Sequence, residues 1–182
     1  MTDQPDIPER RGEAFEGDER LTVLGRRLAP GEIAPPFELD MLEPSTGAIV
    51  RQQLSDTTGR VRLLNVVNSL DTPVCALETR RFEAARGELP NDIVVLTISM
   101  DLPYAQGRWN AEAGVTHRAL SAHRSEAFGR AYGTQIREWR LLQRAVFVID
   151  RDDRLVHVEY VADQMAEPDY EAALAAARSA AQ

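Results

Sequence analysis

Residues 61–67, Val-Arg-Leu-Leu-Asn-Val-Val, form a nearly unbroken apolar run, the pattern of a strand buried on both faces. Residues 93–100 repeat it. Between the two, residues 72–89 predict a helix. Thr72 stands at its N-cap, Pro73 at its first helical position, and Pro90-Asn91 beyond its end. A second helix is expected around 104–112, closed by Gly114, and a short one over 125–132, closed by Gly133. Residues 145–149 and 155–161 predict two strands joined by the tight turn Asp150-Arg151-Asp152-Asp153. Glu167-Pro168 then opens an alanine-rich helix over 169–180. Ahead of these, Ala14-Phe15, a turn at Gly17-Asp18 and residues 21–24 read as a hairpin. A proline- and glycine-rich linker over 29–36 leads to a short strand at 37–39, with residues 47–50 as its partner.

The order β-α-β-α-β-β-α implies parallel strands joined by right-handed crossovers, with a closing hairpin that adds an antiparallel edge. This is the connectivity of an α/β, thioredoxin-like fold: a central mixed sheet flanked by helices, here with an N-terminal β-hairpin extension. Residues 1–12, polar and carrying two prolines, read as a flexible tail, and 13–182 as a single domain.

Composition narrows the function. The 29 acidic and 21 basic residues give a net charge of −8, which argues against nucleic acid or an anionic membrane as the partner. No stretch approaches the roughly 20 apolar residues of a membrane span, and the first 20 residues lack the apolar core of a secretory signal. A cytoplasmic protein is therefore expected. Every one of the 21 basic residues is arginine, which excludes a Schiff-base lysine and a phosphate-loop lysine. With one cysteine and three histidines at no ligand spacing (His117, His123, His157), neither an intrachain disulfide nor a cysteine-rich zinc site is available. No glycine-rich phosphate loop and no flavin or nicotinamide fingerprint occurs, so no cofactor and no metal are expected.

The lone thiol, Cys75, falls in the first turn of the helix that follows the first buried strand. Free backbone N–H groups and the positive end of the helix dipole stabilise an anion there, and the thiolate is the reactive form of cysteine. The Thr72 hydroxyl, three residues upstream, is within reach of the sulfur or of a bound substrate oxygen. The competing reading is a buried, inert cysteine packed as a small hydrophobe.

Residues 64–75, Leu-Asn-Val-Val-Asn-Ser-Leu-Asp-Thr-Pro-Val-Cys, resemble the active-site segment of the bacterial thiol peroxidases, a subfamily of the peroxiredoxins. Residues 79–82, 98–109, 141–146 and 167–174 agree with the same family in order and spacing, and the resemblance runs from about residue 13 to 178. It implies a peroxiredoxin fold and a peroxidase reducing hydrogen peroxide and organic hydroperoxides. It makes Cys75 the peroxidatic nucleophile, Thr72 a hydrogen-bond partner of the peroxide and Arg144 the cation that stabilises the thiolate and the developing charge. Asn68, Val74 and Trp109 would belong to the substrate pocket, and the protein would be a homodimer.

Two departures stand out. The family carries a proline four residues before the threonine, where this chain has Asn68; the amide is expected to leave the pocket wetter. The family's resolving cysteine, on the second helix, is replaced by Asn110. Recycling then needs an external thiol: a thioredoxin, a glutaredoxin-like protein or a low-molecular-weight thiol. The alternatives are a peroxide-responsive redox sensor or thiol-binding protein of the same fold with little or no turnover, or a structural domain with an inert Cys75.

Overall fold

The computed structural model describes residues 7–182. The first buried run becomes strand β5 (Val61–Val66), an interior strand of a seven-stranded sheet. Its period-2 alternation divides the apolar residues between two cores. Val61 and Leu63 face Phe82, Leu89, Ala173, Leu174 and Ala177, whereas Leu64 and Val66 face Phe37, Phe128 and Tyr132. Burying both faces explains why the run is continuous rather than alternating.

From β5 the chain runs through α1 (Pro73–Arg86) to β6 (Ile93–Ser99), then through α2 (Pro103–Ala113) to β7 (Arg118–Ser121). These three strands are parallel. After α3 (Ala127–Ala131) and the two-residue strand β8 (Gln135–Ile136), β9 (Ala145–Ile149) returns antiparallel beside β5, and β10 (Leu155–Tyr160) pairs with β9 at the sheet's end. The opposite end is the antiparallel pair β3 (Glu38–Leu42) and β4 (Ile49–Gln53), giving the order β10-β9-β5-β6-β7-β3-β4. The last helix, α4 (Tyr170–Ala180), is capped by the Asp169 carboxylate accepting from the Ala172 N–H at 3.0 Å and packs its alanines on the β5–β9 face. A mixed sheet flanked by helices, with an N-terminal hairpin, is the expected architecture.

Two expectations are corrected. The hydrophobic pattern predicts no strand between Gly114 and Ser125, yet β7 lies there and supplies the third parallel strand. It is four residues long, too short for a periodicity to register. The tail predicted over 1–12 is also too long. Residues 1–6 lie outside the described residues, but β1 (Glu9–Glu16) already pairs with β2 (Glu19–Leu24) from Glu9 onward, across a bulge between Arg11 and Ala14. Tertiary anchoring overrides the polar composition here: Arg10 lies 5.3 Å over the Tyr160 ring and donates to the Gly133 carbonyl. The hairpin is completed by β8 into a three-stranded sheet.

Candidate active site

Strand β5 ends one residue before a loop that is tied on both sides. On one side, the Ser69 hydroxyl donates to Asp101 Oδ1 at 2.7 Å and the Leu70 N–H to Asp101 Oδ2 at 2.9 Å. On the other, Asn68 Nδ2 donates to the Leu142 carbonyl at 2.6 Å and to Gln164 Oε1 at 3.0 Å. The loop delivers the chain into α1 with Pro73 in its first turn and extended backbone at Thr72, the N-cap. Cys75 is thereby fixed in the first turn with no exposed surface, packed against Val67, Leu70 and Trp109.

Sheet register brings the cation. Ala145 lies opposite Val66 in the β5–β9 ladder, which sets Arg144, one residue earlier, beside the start of the cysteine loop. Its guanidinium is buried and held as a fork. Nη1 donates to the Cys75 sulfur at 3.4 Å and to the Glu78 carboxyl, and Nη2 donates to the Gln164 carbonyl at 2.8 Å. Burial works against the charge of Arg144, but Glu78 and then Cys75 outweigh it and raise the guanidinium above its ordinary range.

Glu78 sits one turn after Cys75 on the same helix face, also without exposed surface. Burial pushes its carboxyl up, to about 8, against the pull of the Arg144 charge. Its Oε1 has no hydrogen-bond partner. Asn68 Oδ1 lies 3.8 Å from the sulfur, placed to accept from a thiol S–H.

Thr72 occupies the N-cap without capping. Its hydroxyl donates to the Ser69 carbonyl at 2.9 Å and makes no hydrogen bond to the sulfur. It faces a cavity of about 350 Å³ whose polar side is formed by Glu16, Asn68, Thr72, Arg144 and Gln164 and whose apolar side includes Val74, Trp139, Leu141 and Met165. Cys75 is not itself among the lining residues; the sulfur lies behind the cavity wall, in contact with Arg144. A larger cavity of about 570 Å³ opens between the β3–β4 end and α2. Neither Cys75 nor Arg144 lines it, so the smaller cavity is the one that adjoins the cysteine's arginine.

The structure thus gathers Cys75, Thr72, Arg144, Asn68 and Val74 at one place and separates Trp109 and Asn110 from the cavity. Trp109 backs the sulfur instead, with the Arg80 guanidinium 5.1 Å over its ring. Asn110 donates to the His117 carbonyl at 3.2 Å and closes the end of α2. At the family's proline position, Asn68 is 5% exposed and its Nδ2 is committed to the Leu142 carbonyl and to Gln164 Oε1. Two residues escaped sequence reasoning. Glu78 had a usable signal, an acid at i+3 from the thiol on one helix face. Gln164 had none, because only the fold brings its side chain to Asn68 and Arg144. Among the described residues no group of three or more His, Cys, Asp or Glu stands close enough to hold a metal ion.

Comparison with known proteins agrees with this fold. The redoxin family's profile matches residues 29–174. The thiol peroxidase of Halalkalibacterium halodurans is 45% identical over 88% of this chain and 93% of its own length. That of Bacillus subtilis is 39% identical over 87% and 92% respectively. The crystal structure of a peroxiredoxin-like protein from Aquifex aeolicus superposes with a TM-score of 0.80 at 26% identity, covering 93% of this chain and 98% of that one.

Proposed function

The chain belongs to the redoxin family, among the thiol peroxidases, and from that premise we propose that Cys75 is the nucleophile of a thiol-dependent peroxide reduction assisted by Arg144 and Thr72. The observation that carries this assignment is the 3.4 Å contact between a buried guanidinium and the sulfur of the chain's single cysteine.

The thiolate attacks one peroxide oxygen. An S–O bond forms as the O–O bond breaks, the sulfur is oxidised to a sulfenic acid, and the departing oxygen takes a proton to leave as water or an alcohol. Arg144, permanently charged and held on three sides, stabilises the anionic sulfur and the charge that moves onto the departing oxygen. Thr72 spends its own hydrogen on the Ser69 carbonyl, which leaves its lone pairs to accept from the peroxide O–H and turn the reactive oxygen toward the sulfur. The apolar wall of Val74, Trp139, Leu141 and Met165 suits the carbon substituent of an organic hydroperoxide, while hydrogen peroxide needs only the polar side.

Recovery uses thiols from outside, since the sequence holds one cysteine. A first external thiol displaces water from the sulfenic acid to give a mixed disulfide. A second thiol then attacks that disulfide, releasing Cys75 and an oxidised donor. A thioredoxin, a glutaredoxin-like protein or a low-molecular-weight thiol would serve. The exposed Leu102 and Tyr104, next to the Asp101 clasp of the cysteine loop, support a homodimer formed on that side. No helix among the described residues is long and apolar enough to cross a membrane, and a cytoplasmic setting would supply the reducing thiols. Peroxide consumption in the presence of each donor class, with Cys75→Ser as control, tests the assignment: only the chain with Cys75 should turn over.

A further inference from the structure

Cys75 and Glu78 stand one helical turn apart, both without exposed surface, and both meet the same nitrogen of Arg144. One buried cation is thus shared by two acids. With both ionised, a net negative charge would be left on groups without exposed surface, an arrangement proteins avoid by keeping a proton. We propose that Glu78 is a positioning residue that holds this proton while Cys75 reacts, so that the charge of Arg144 is left to the sulfur and to the departing oxygen. The inference rests on Cys75 being the nucleophile.

The surroundings of each acid decide which one keeps the proton. Glu78 Oε1 has no hydrogen-bond partner, so a carboxylate there would bury a bare anionic oxygen, whereas a protonated carboxyl does not. The remaining groups facing Glu78 add to this. Glu159 on β10 and Glu167 ahead of α4 both oppose its ionisation. Tyr170 of α4 donates to Glu167 at 2.7 Å, and Arg81, three residues after Glu78 on α1, is engaged with Glu167 at 3.2 Å. On the other side, the sulfur meets a neutral acceptor, Asn68 Oδ1, at 3.8 Å and a full cation, Arg144, at 3.4 Å. Burial raises Glu78 to about 8, in line with a carboxyl that stays protonated near neutral pH.

The consequence is an alkaline limb in the reaction. When Glu78 ionises it claims part of Arg144, and the rate of Cys75 oxidation falls. The test is the pH dependence of the second-order rate of Cys75 oxidation by hydrogen peroxide, measured in the full chain and in Glu78→Gln. The full chain is expected to lose rate above about pH 8. Glu78→Gln, neutral at every pH, should hold its rate across the same interval to within about twofold. Persistence of the limb in Glu78→Gln, or a rate lowered by the same factor at every pH, would overturn the proposal, because both outcomes mean that the carboxylate only anchors Arg144. Infrared spectroscopy of the unsubstituted chain gives a readout independent of folding of the variant. A protonated-carboxyl carbonyl band present at pH 7 and lost above pH 8 agrees, and its absence at pH 7 contradicts. Failure of the nucleophile assignment itself would show differently, as peroxide turnover surviving in Cys75→Ser.

Discussion

Arg144 donates to the Cys75 sulfur, to Glu78 and to the Gln164 carbonyl at once, a geometry that depends on a planar fork rather than on charge alone. Lysine keeps the charge but presents a single ammonium that cannot span these three partners. Arg144→Lys is therefore expected to lower kcat/KM for peroxide by about 10²-fold, near the effect of losing one oxyanion donor; steady-state rates at fixed thiol donor read it. Asn68 has exchanged the family's proline for a tie between the cysteine loop and the segment ahead of β9. Replacing Asn68 with alanine takes the side-chain donor from the buried Leu142 carbonyl and leaves Gln164 Oε1 only the Arg144 N–H, at a cost of about 1–3 kcal/mol in unfolding free energy by denaturant titration. The absence of a second thiol has its own signature. Under excess peroxide without a thiol donor, Cys75 should advance from sulfenic to sulfinic acid, and intact mass should gain two oxygens; a thiol that stays unmodified would count against the mechanism.

The chain segments leaving β2 and α3 pass so close that neither tolerates a side chain. A Cβ at Gly133, where φ is 62°, would stand 2.1 Å from the Arg26 carbonyl oxygen, and one at Gly25, where φ is 95°, would stand 2.1 Å from the Arg130 carbonyl oxygen. Gly133→Ala should lower the unfolding free energy, read by denaturant titration, by well over the ~1 kcal/mol that an unstrained substitution changes. It should also loosen β8, whose neighbours Trp139 and Leu141 line the cavity. The central elements were legible because their physics is local: β5, β6 and β9 announce double burial, and α1 announces its start with Thr72-Pro73. β7 and β8 were not, since four and two residues carry no measurable period and are held by ladder partners. The same division runs through the site. Cys75 and Thr72 are readable from one helix start. Arg144 needed the family resemblance, because only the β5–β9 register carries it to the sulfur. Glu78 was within reach of helical spacing, while Gln164 and the packing of Trp109 behind the sulfur belong wholly to the tertiary fold.

Across the whole molecule the buried acids and bases pull stability in opposite directions with pH. Glu78, whose folded carboxyl is raised to about 8 from an ordinary 4.5, binds its proton more tightly folded than unfolded, so its contribution is full below about pH 4.5 and is lost as pH rises toward 8. Glu83 behaves in the reverse sense. It is lowered to about 2 by Thr116, Arg86 and His117 despite partial burial, so its contribution is present above about pH 4.5 and is lost on acidification. Buried His117, lowered chiefly by desolvation, likewise costs stability as pH drops below its ordinary 6.5. Urea titrations at pH 5 and pH 8 should therefore show Glu78→Gln gaining on the unsubstituted chain as pH rises, with the acid-side loss unchanged; an equal stability difference at both pH values would contradict the buried-carboxyl assignment. Of these groups Glu78 is the one that shares Arg144 with the thiol, and the most direct test returns to that thiol. Peroxide consumption is to be followed with a supplied thiol donor, in the unsubstituted chain and in Cys75→Ser. Sustained, donor-dependent turnover in the first and none above background in the second is the expected result, and turnover that survives the substitution would contradict the account.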